Sequence, residues 1–183
     1  MRKKMSFFNI PSIGTFDEDC GFIKLDKCSD GFHEVGKNGV SMGAATVLMA
    51  SGETLPENVK AVIADCGYTS EWDEFIWEAE MIHIPWFPVL NAASALSKLR
   101  DGYDFKQASA LEQVKKSDIP TLFIHGTADE LVPYKMLGEL FSAAACEKES
   151  LTVEGAGHAL SSSVEPETYW STVERFVEKH IGS

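Results

Sequence analysis

Three short stretches of the chain hold residue types that can act together in nucleophilic catalysis. Gly39-Val40-Ser41-Met42-Gly43 fits the pattern G-x-S-x-G directly before a run of helix formers. In that pattern a sharp turn lifts the serine hydroxyl above a sheet. The flanking glycines let neighbouring backbone approach, and the next amide, that of Met42, points at a developing oxyanion. His125-Gly126-Thr127-Ala128-Asp129-Glu130 follows an apolar run, and a carboxylate in such a loop can orient a histidine. Asp129 suits this better than Glu130 by its distance from the run. Gly155-Ala156-Gly157-His158 places a histidine in a glycine-flanked loop, where it can serve as a general base. Each stretch alone has an ordinary reading: a glycine-rich turn, a capping Asp, a solvated His. Their common order Ser, Asp, His, with the last two 29 positions apart, leaves room for one helix and one strand.

Residues of this kind need a frame. Residues 43–52 read as a buried helix ending at Gly52, and 60–66 as a buried strand rich in branched side chains. Residues 70–80 predict a helix capped by Ser70, with Trp72, Phe75, Ile76 and Ala79 on its inner face. Pro85 and Pro88 interrupt the next stretch, and a further helix is expected to end near Gly102. A short helix over 109–116, a strand over 121–126, a helix over 132–148, a strand over 150–154 and a final helix from Pro166 complete the pattern. The last helix carries Trp170, Val173, Phe176 and Val177 as its apolar stripe. Strands alternating with helices predict an α/β fold with a mostly parallel sheet flanked by helices. Active residues of such sheets gather at the carboxyl ends of the strands.

The composition agrees with a single domain of 183 residues, 44% apolar and 24% charged. The net charge of −12 repels phosphate backbones, which argues against nucleic acid as a partner. No run of about 18 apolar residues is present, so no membrane span is expected. Cys20, Cys28, Cys66 and Cys146 show neither CxxC nor zinc-finger spacing, so no metal or other cofactor is expected and reduced thiols are. The basic start Met1-Arg2-Lys3-Lys4 leads into a stretch too short and broken for a signal peptide, which points to the cytoplasm.

The stretches GVSMGAATVLMA, VIADCGYTS, PTLFIHGTADELVP and GAGHALS resemble the α/β-hydrolase family. Within it they are similar to bacterial serine hydrolases related to prolyl-oligopeptidase-type peptidases and small esterases. The resemblance runs from Gly39 to the C-terminus. It implies Ser41 as nucleophile, Asp129 as acid and His158 as base, acting on a small-molecule ester or peptide. It also implies that residues 70–106 form a cap or insertion that shapes the substrate pocket. His83 and Cys66 read as structural. The aromatic residues Trp72, Phe75, Trp77, Trp86 and Phe87 read either as a lid or as packing of the insertion against the sheet.

The segment 1–38 departs from that family. It holds no His-Gly pair to supply a second oxyanion donor; its one histidine, His33, precedes Glu34. FHEVGKNGV shows no clear apolar strand running into the serine turn, and the sheet edge there is expected to be bare. The fold is therefore expected to be a truncated α/β-hydrolase. Three accounts of 1–38 stand open: an abbreviated but workable edge, a fragment or disrupted frame of a longer hydrolase, or a non-catalytic relative that self-associates as a homo-oligomer or binds a ligand.

Overall fold

The computed structural model describes residues 35–181 and two short strands before them, β1 (Thr15–Asp17) and β2 (Phe22–Lys24). Then come β3 (Val35–Val40), α1 (Met42–Ser51), β4 (Val59–Asp65), α2 (Glu71–Met81), α3 (Val89–Asp101), α4 (Ala110–Val114) and β5 (Thr121–Gly126). They are followed by α5 (Lys135–Ala143), β6 (Lys148–Val153), α6 (Ser161–Val164) and α7 (Pro166–Ile181). Four strands form one parallel sheet in the order β3-β4-β5-β6. Parallel register aligns their carboxyl ends: Val40 pairs with Asp65, and Asp65 with Ile124. The loops carrying the three candidate stretches therefore open at one edge of the sheet.

Both faces of the sheet are covered, which explains why β4 and β5 read as continuous apolar runs. Side chains alternate across a strand. Val62, Ala64 and Phe123 face Ala44, Val47 and Leu48 of α1, Val114 of α4, and Leu137 and Leu140 of α5. Ala61, Ile63, Leu122 and Ile124 face Tyr169, Val173 and Phe176 of α7. The two layers fix β4 and β5 centrally, and with them the loops after each.

The structure corrects the sequence reading at several elements. A strand does run into the serine turn. β3 has the sequence VGKNGV, and it forms through backbone pairing with β4 rather than through apolar side chains. It is the terminal strand of the four; β1 and β2 pair antiparallel as a separate two-stranded sheet, with β2 lying against β3. The helix expected over 132–148 is shorter, because the chain turns at Ala144 and is already in β6 at Lys148. α6 has no counterpart among the expected elements. The inner face assigned to α2 is also wrong: its buried residue is Glu74, while Phe75 stands 36% exposed.

The segment 70–106 leaves and re-enters the fold through a narrow base. Ser70 and Ser109 form an isolated antiparallel bridge, with Glu71 N–H donating to the Ala108 carbonyl and Leu111 N–H to that of Thr69. Serine caps both helices at this base: Ser70 Oγ accepts from Asp73 N–H at the start of α2, and Ser109 Oγ from Glu112 N–H at the start of α4. α3 ends at Gly102 in the left-handed conformation (φ 88°). Among the described residues no helix is long and apolar enough to cross a membrane.

Candidate active site

β3 delivers the chain to Ser41, whose φ of 56° lies in the region L-residues avoid. Two backbone bonds hold this turn: Ser41 N–H donates to the Asp65 carbonyl at 2.8 Å, and Ala45 N–H to the Ser41 carbonyl at 3.1 Å. Gly39 is required by the close packing of β3 on α1, since a Cβ there would meet the Gly43 carbonyl oxygen at 2.2 Å. Met42 is the first residue of α1, so its N–H is one of the helix-start donors without an intrahelical acceptor. Its side chain is 70% exposed.

His158 arrives from the loop after β6. Its Nε2 lies 2.8 Å from Ser41 Oγ, and its Nδ1 lies 2.9 Å and 3.1 Å from the two Asp129 carboxylate oxygens. Ser41, His158 and Asp129, the three residues singled out in the sequence, are thus brought into one hydrogen-bonded line.

Asp129 has a buried carboxylate that accepts from several donors. Oδ1 takes the N–H groups of Leu131 and Val132 at 3.0 Å each. Oδ2 lies 3.2 Å from His125 Nε2, which also lies 3.0 Å from the Val132 carbonyl and, as an N–H, donates to both oxygens. Burial raises the pKa of this carboxyl, but the hydrogen bonds from His125, the Val132 amide and His158 outweigh it and hold the group below its ordinary value. Asp129 therefore stays ionised beside His158.

Sequence reasoning assigns no role to His125. It sits in a strand of otherwise apolar residues, is 1% exposed, and packs edge-on to Tyr134. The only signal is a histidine inside a buried run, where an imidazole needs a polar partner. Asp65, at the end of β4, carries no signal of its own either. It is buried, accepts from Ser161 Oγ at 3.3 Å and from the Tyr169 hydroxyl, and burial pushes its pKa up to about 6 against those bonds and the charges of His125 and His158. Cys66, the next residue, is buried as expected; burial and the neighbouring Asp65 charge push its thiol up to about 12. Glu74 of α2 is raised to about 7 by burial, then by the Glu78 and Asp129 charges.

α2 lies over the loop that carries Asp129. Trp77 donates its indole N–H to the Glu130 carbonyl at 3.1 Å. Between them runs a cleft of about 410 Å³, lined by Trp77, Met81, Thr127, Asp129, Glu130, Pro133 and Tyr134. The other aromatic residues of the segment pack on one another, Trp72 against Trp86 and Phe75 against Phe105, rather than against the sheet. His33 and Glu34, on which the question of the second oxyanion donor turns, lie outside the described residues.

Residues 33–183 match the model of the prolyl oligopeptidase family. The chain belongs to that family. YqkD, an uncharacterised protein of Bacillus subtilis, is 30% identical over 145 residues, which cover 79% of this chain and 48% of YqkD. The chain thus spans about half the length of that relative. Among solved structures, the acylaminoacyl peptidase of Pyrococcus horikoshii superposes with a TM-score of 0.60 at 15% identity, over 81% of this chain and 24% of the peptidase. The Pyrococcus furiosus esterase Pf2001 superposes with a TM-score of 0.60 at 18% identity, over 81% of this chain and 55% of the esterase. At these identities the likeness is one of fold: the parallel sheet and its helices are those of an α/β-hydrolase. Membership of the prolyl oligopeptidase family makes the chain a relative of serine hydrolases in general.

Proposed function

We propose that this family member cleaves carboxylic esters, and amides less readily, through an acyl-enzyme on Ser41. The observation that carries the reading is the 2.8 Å approach of His158 Nε2 to Ser41 Oγ, with Nδ1 of the same ring on the buried Asp129 carboxylate. His158 takes the hydroxyl proton as Oγ attacks the substrate carbonyl, and Asp129 keeps the ring in the tautomer whose Nε2 is free to accept it. The Met42 amide donates to the oxyanion. The imidazolium passes its proton to the leaving group, and water enters by the same histidine to release the acid. The segment 70–106 caps the site, and the cleft under Trp77 receives part of the substrate.

Intact-mass analysis after treatment with a fluorophosphonate tests the assignment on the wild type and Ser41→Ala side by side. One adduct on the wild type and none on the variant is the expected result. An equal adduct on both sinks Ser41 as the nucleophile, and a folded wild type that takes no adduct sinks the activated triad.

A second reading rests on a different observation. Ile82, Phe87, Val89, Leu96 and Leu99 of the 70–106 segment are all more than half exposed. Together they favour association with a second copy of the chain through this segment.

A further inference from the structure

Next to the line from Ser41 to Asp129 lies a thiol that the proposed hydrolysis does not use. Cys66 follows β4 directly, is 1% exposed, and is held at a φ of 48°. Its sulfur, a carboxylate oxygen of Asp129 and a ring nitrogen of His158 all lie within 4.8 Å of one another. The three residues follow three different strands, β4, β5 and β6, whose parallel register aligns the ends from which their loops start.

We infer that Cys66, Asp129 and His158 form an inhibitory binding site for a thiophilic divalent cation of the zinc class. The donor set selects the metal. A sulfur, an imidazole nitrogen and one carboxylate oxygen suit zinc, cadmium or cobalt, whereas magnesium and calcium require oxygen ligands. The dimensions also fit. Zinc bonds of about 2.3 Å to sulfur and about 2.0 Å to nitrogen put tetrahedral ligands about 3.5 Å apart. Closing from within 4.8 Å takes a shift of about 1.3 Å at most. His158, on a loop and 22% exposed at its side chain, can supply it. Three protein ligands leave a fourth position for water.

Charge balances as well. The cation displaces the sulfur-bound proton to solvent: the S–H bond breaks, the metal–sulfur bond forms, and nothing is oxidised or reduced. Thiolate and carboxylate together then neutralise the two positive charges in a site where an uncompensated charge is costly. Coordination takes the lone pair of one His158 nitrogen. Whichever nitrogen it is, one of the two bonds that make His158 a base is lost, either that to Ser41 Oγ or that to Asp129. The metal and turnover are therefore mutually exclusive.

The test uses cobalt as a visible probe and zinc as the inhibitor, on the full chain. Cobalt titration of the wild type is expected to give a near-ultraviolet thiolate-to-metal absorption that saturates at one equivalent and is displaced by zinc. Cys66→Ser is expected to lack it. No such band in the wild type, or the same band in the variant, overturns the site, and neither outcome depends on hydrolase activity. Hydrolysis of p-nitrophenyl acetate supplies the second readout. Zinc is expected to inhibit the wild type, EDTA to reverse this, and magnesium at the same concentration to do nothing. Half-inhibition of Cys66→Ser is expected to need at least tenfold more zinc; equal sensitivity overturns the assignment. Should Cys66→Ser lower the melting temperature, Cys66→Ala carries the same comparison.

Discussion

At the scale of single residues, the site depends on how firmly Asp129 is held. Two amides and two imidazoles converge on its carboxylate. Asp129→Asn replaces one acceptor oxygen by a donor and favours the wrong His158 tautomer. It is expected to lower kcat by roughly 10⁴-fold while the fold persists, checked by steady-state kinetics beside circular dichroism. His125 touches no reacting atom and acts by positioning Asp129. His125→Ala is expected to lower kcat about tenfold with KM unchanged, and His125→Gln, whose amide can still donate, to regain part of the loss; equal loss in both would reduce His125 to a packing role. Glu74 shows the opposite electrostatics. Its folded pKa, about 7, lies above its unfolded value, so between these values the native state holds a proton that the unfolded chain has lost. Stability then falls as pH rises through that window, by at most on the order of 3 kcal/mol. Glu74→Gln is therefore expected to raise Tm at pH 8, where it also relieves the repulsion between Glu74 and the Glu78 and Asp129 charges, and to leave it nearly unchanged at pH 4.5.

At the scale of elements, the turn at Ser41 is built by contact between β3 and α1. Gly39→Ala puts a methyl group 2.2 Å from the Gly43 carbonyl, with backbone rather than a flexible side chain in the way. The strand must move off α1. We expect a stability loss of roughly 3 kcal/mol, with fluorophosphonate labelling falling further than the melt, since the turn fails before the sheet does. The caps give a milder contrast. Ser70→Ala removes one acceptor at the start of α2 and is expected to cost about 1 kcal/mol in chemical denaturation. These elements also show what the amino-acid sequence can tell. Ser70 as a cap, β4 and β5 as buried strands, and the three glycine-flanked loops are legible because local chemistry decides them. β3 is not: Gly36, Lys37, Asn38 and Gly39 have no strand preference, and backbone pairing with β4 makes the strand. The face of α2 misleads because a stripe of aromatic residues implies a core. Here the helix rests on the Asp129 loop through Trp77, buries Glu74, and packs its rings within the insertion. Cys66 is silent for a related reason: Asp129 and His158 follow other strands, and no spacing along the chain records that. His125 has its partners Asp129 and Val132 four and seven positions on, but only the turn after β5 brings them back to its ring.

At the scale of the whole molecule, two opposing forces act on association. The segment 70–106 presents exposed Ile82, Phe87, Val89, Leu96 and Leu99, with Leu99 at 85%. Burying such side chains against a second copy gains roughly 1.5–3 kcal/mol each at full burial. Each chain also carries a net charge of −12, so two copies repel one another. Salt weakens the repulsion within a Debye length of about 10 Å at 0.1 M and about 3 Å at 1 M, and leaves the apolar gain intact. The sign of the salt effect therefore separates this association from one made by ion pairs, which salt would dissolve. Sedimentation velocity over a concentration series is expected to show heavier species as sodium chloride rises from 0.05 to 0.5 M, roughly the range over which screening grows. Leu96→Lys with Leu99→Lys is expected to hold the chain monomeric throughout, because it removes two exposed apolar side chains of α3 without touching Leu90 or Ser94, the buried ones. A wild type that stays monomeric in high salt would mean that this face does not recruit a second copy, and the exposed residues would then belong to the substrate side of the cap.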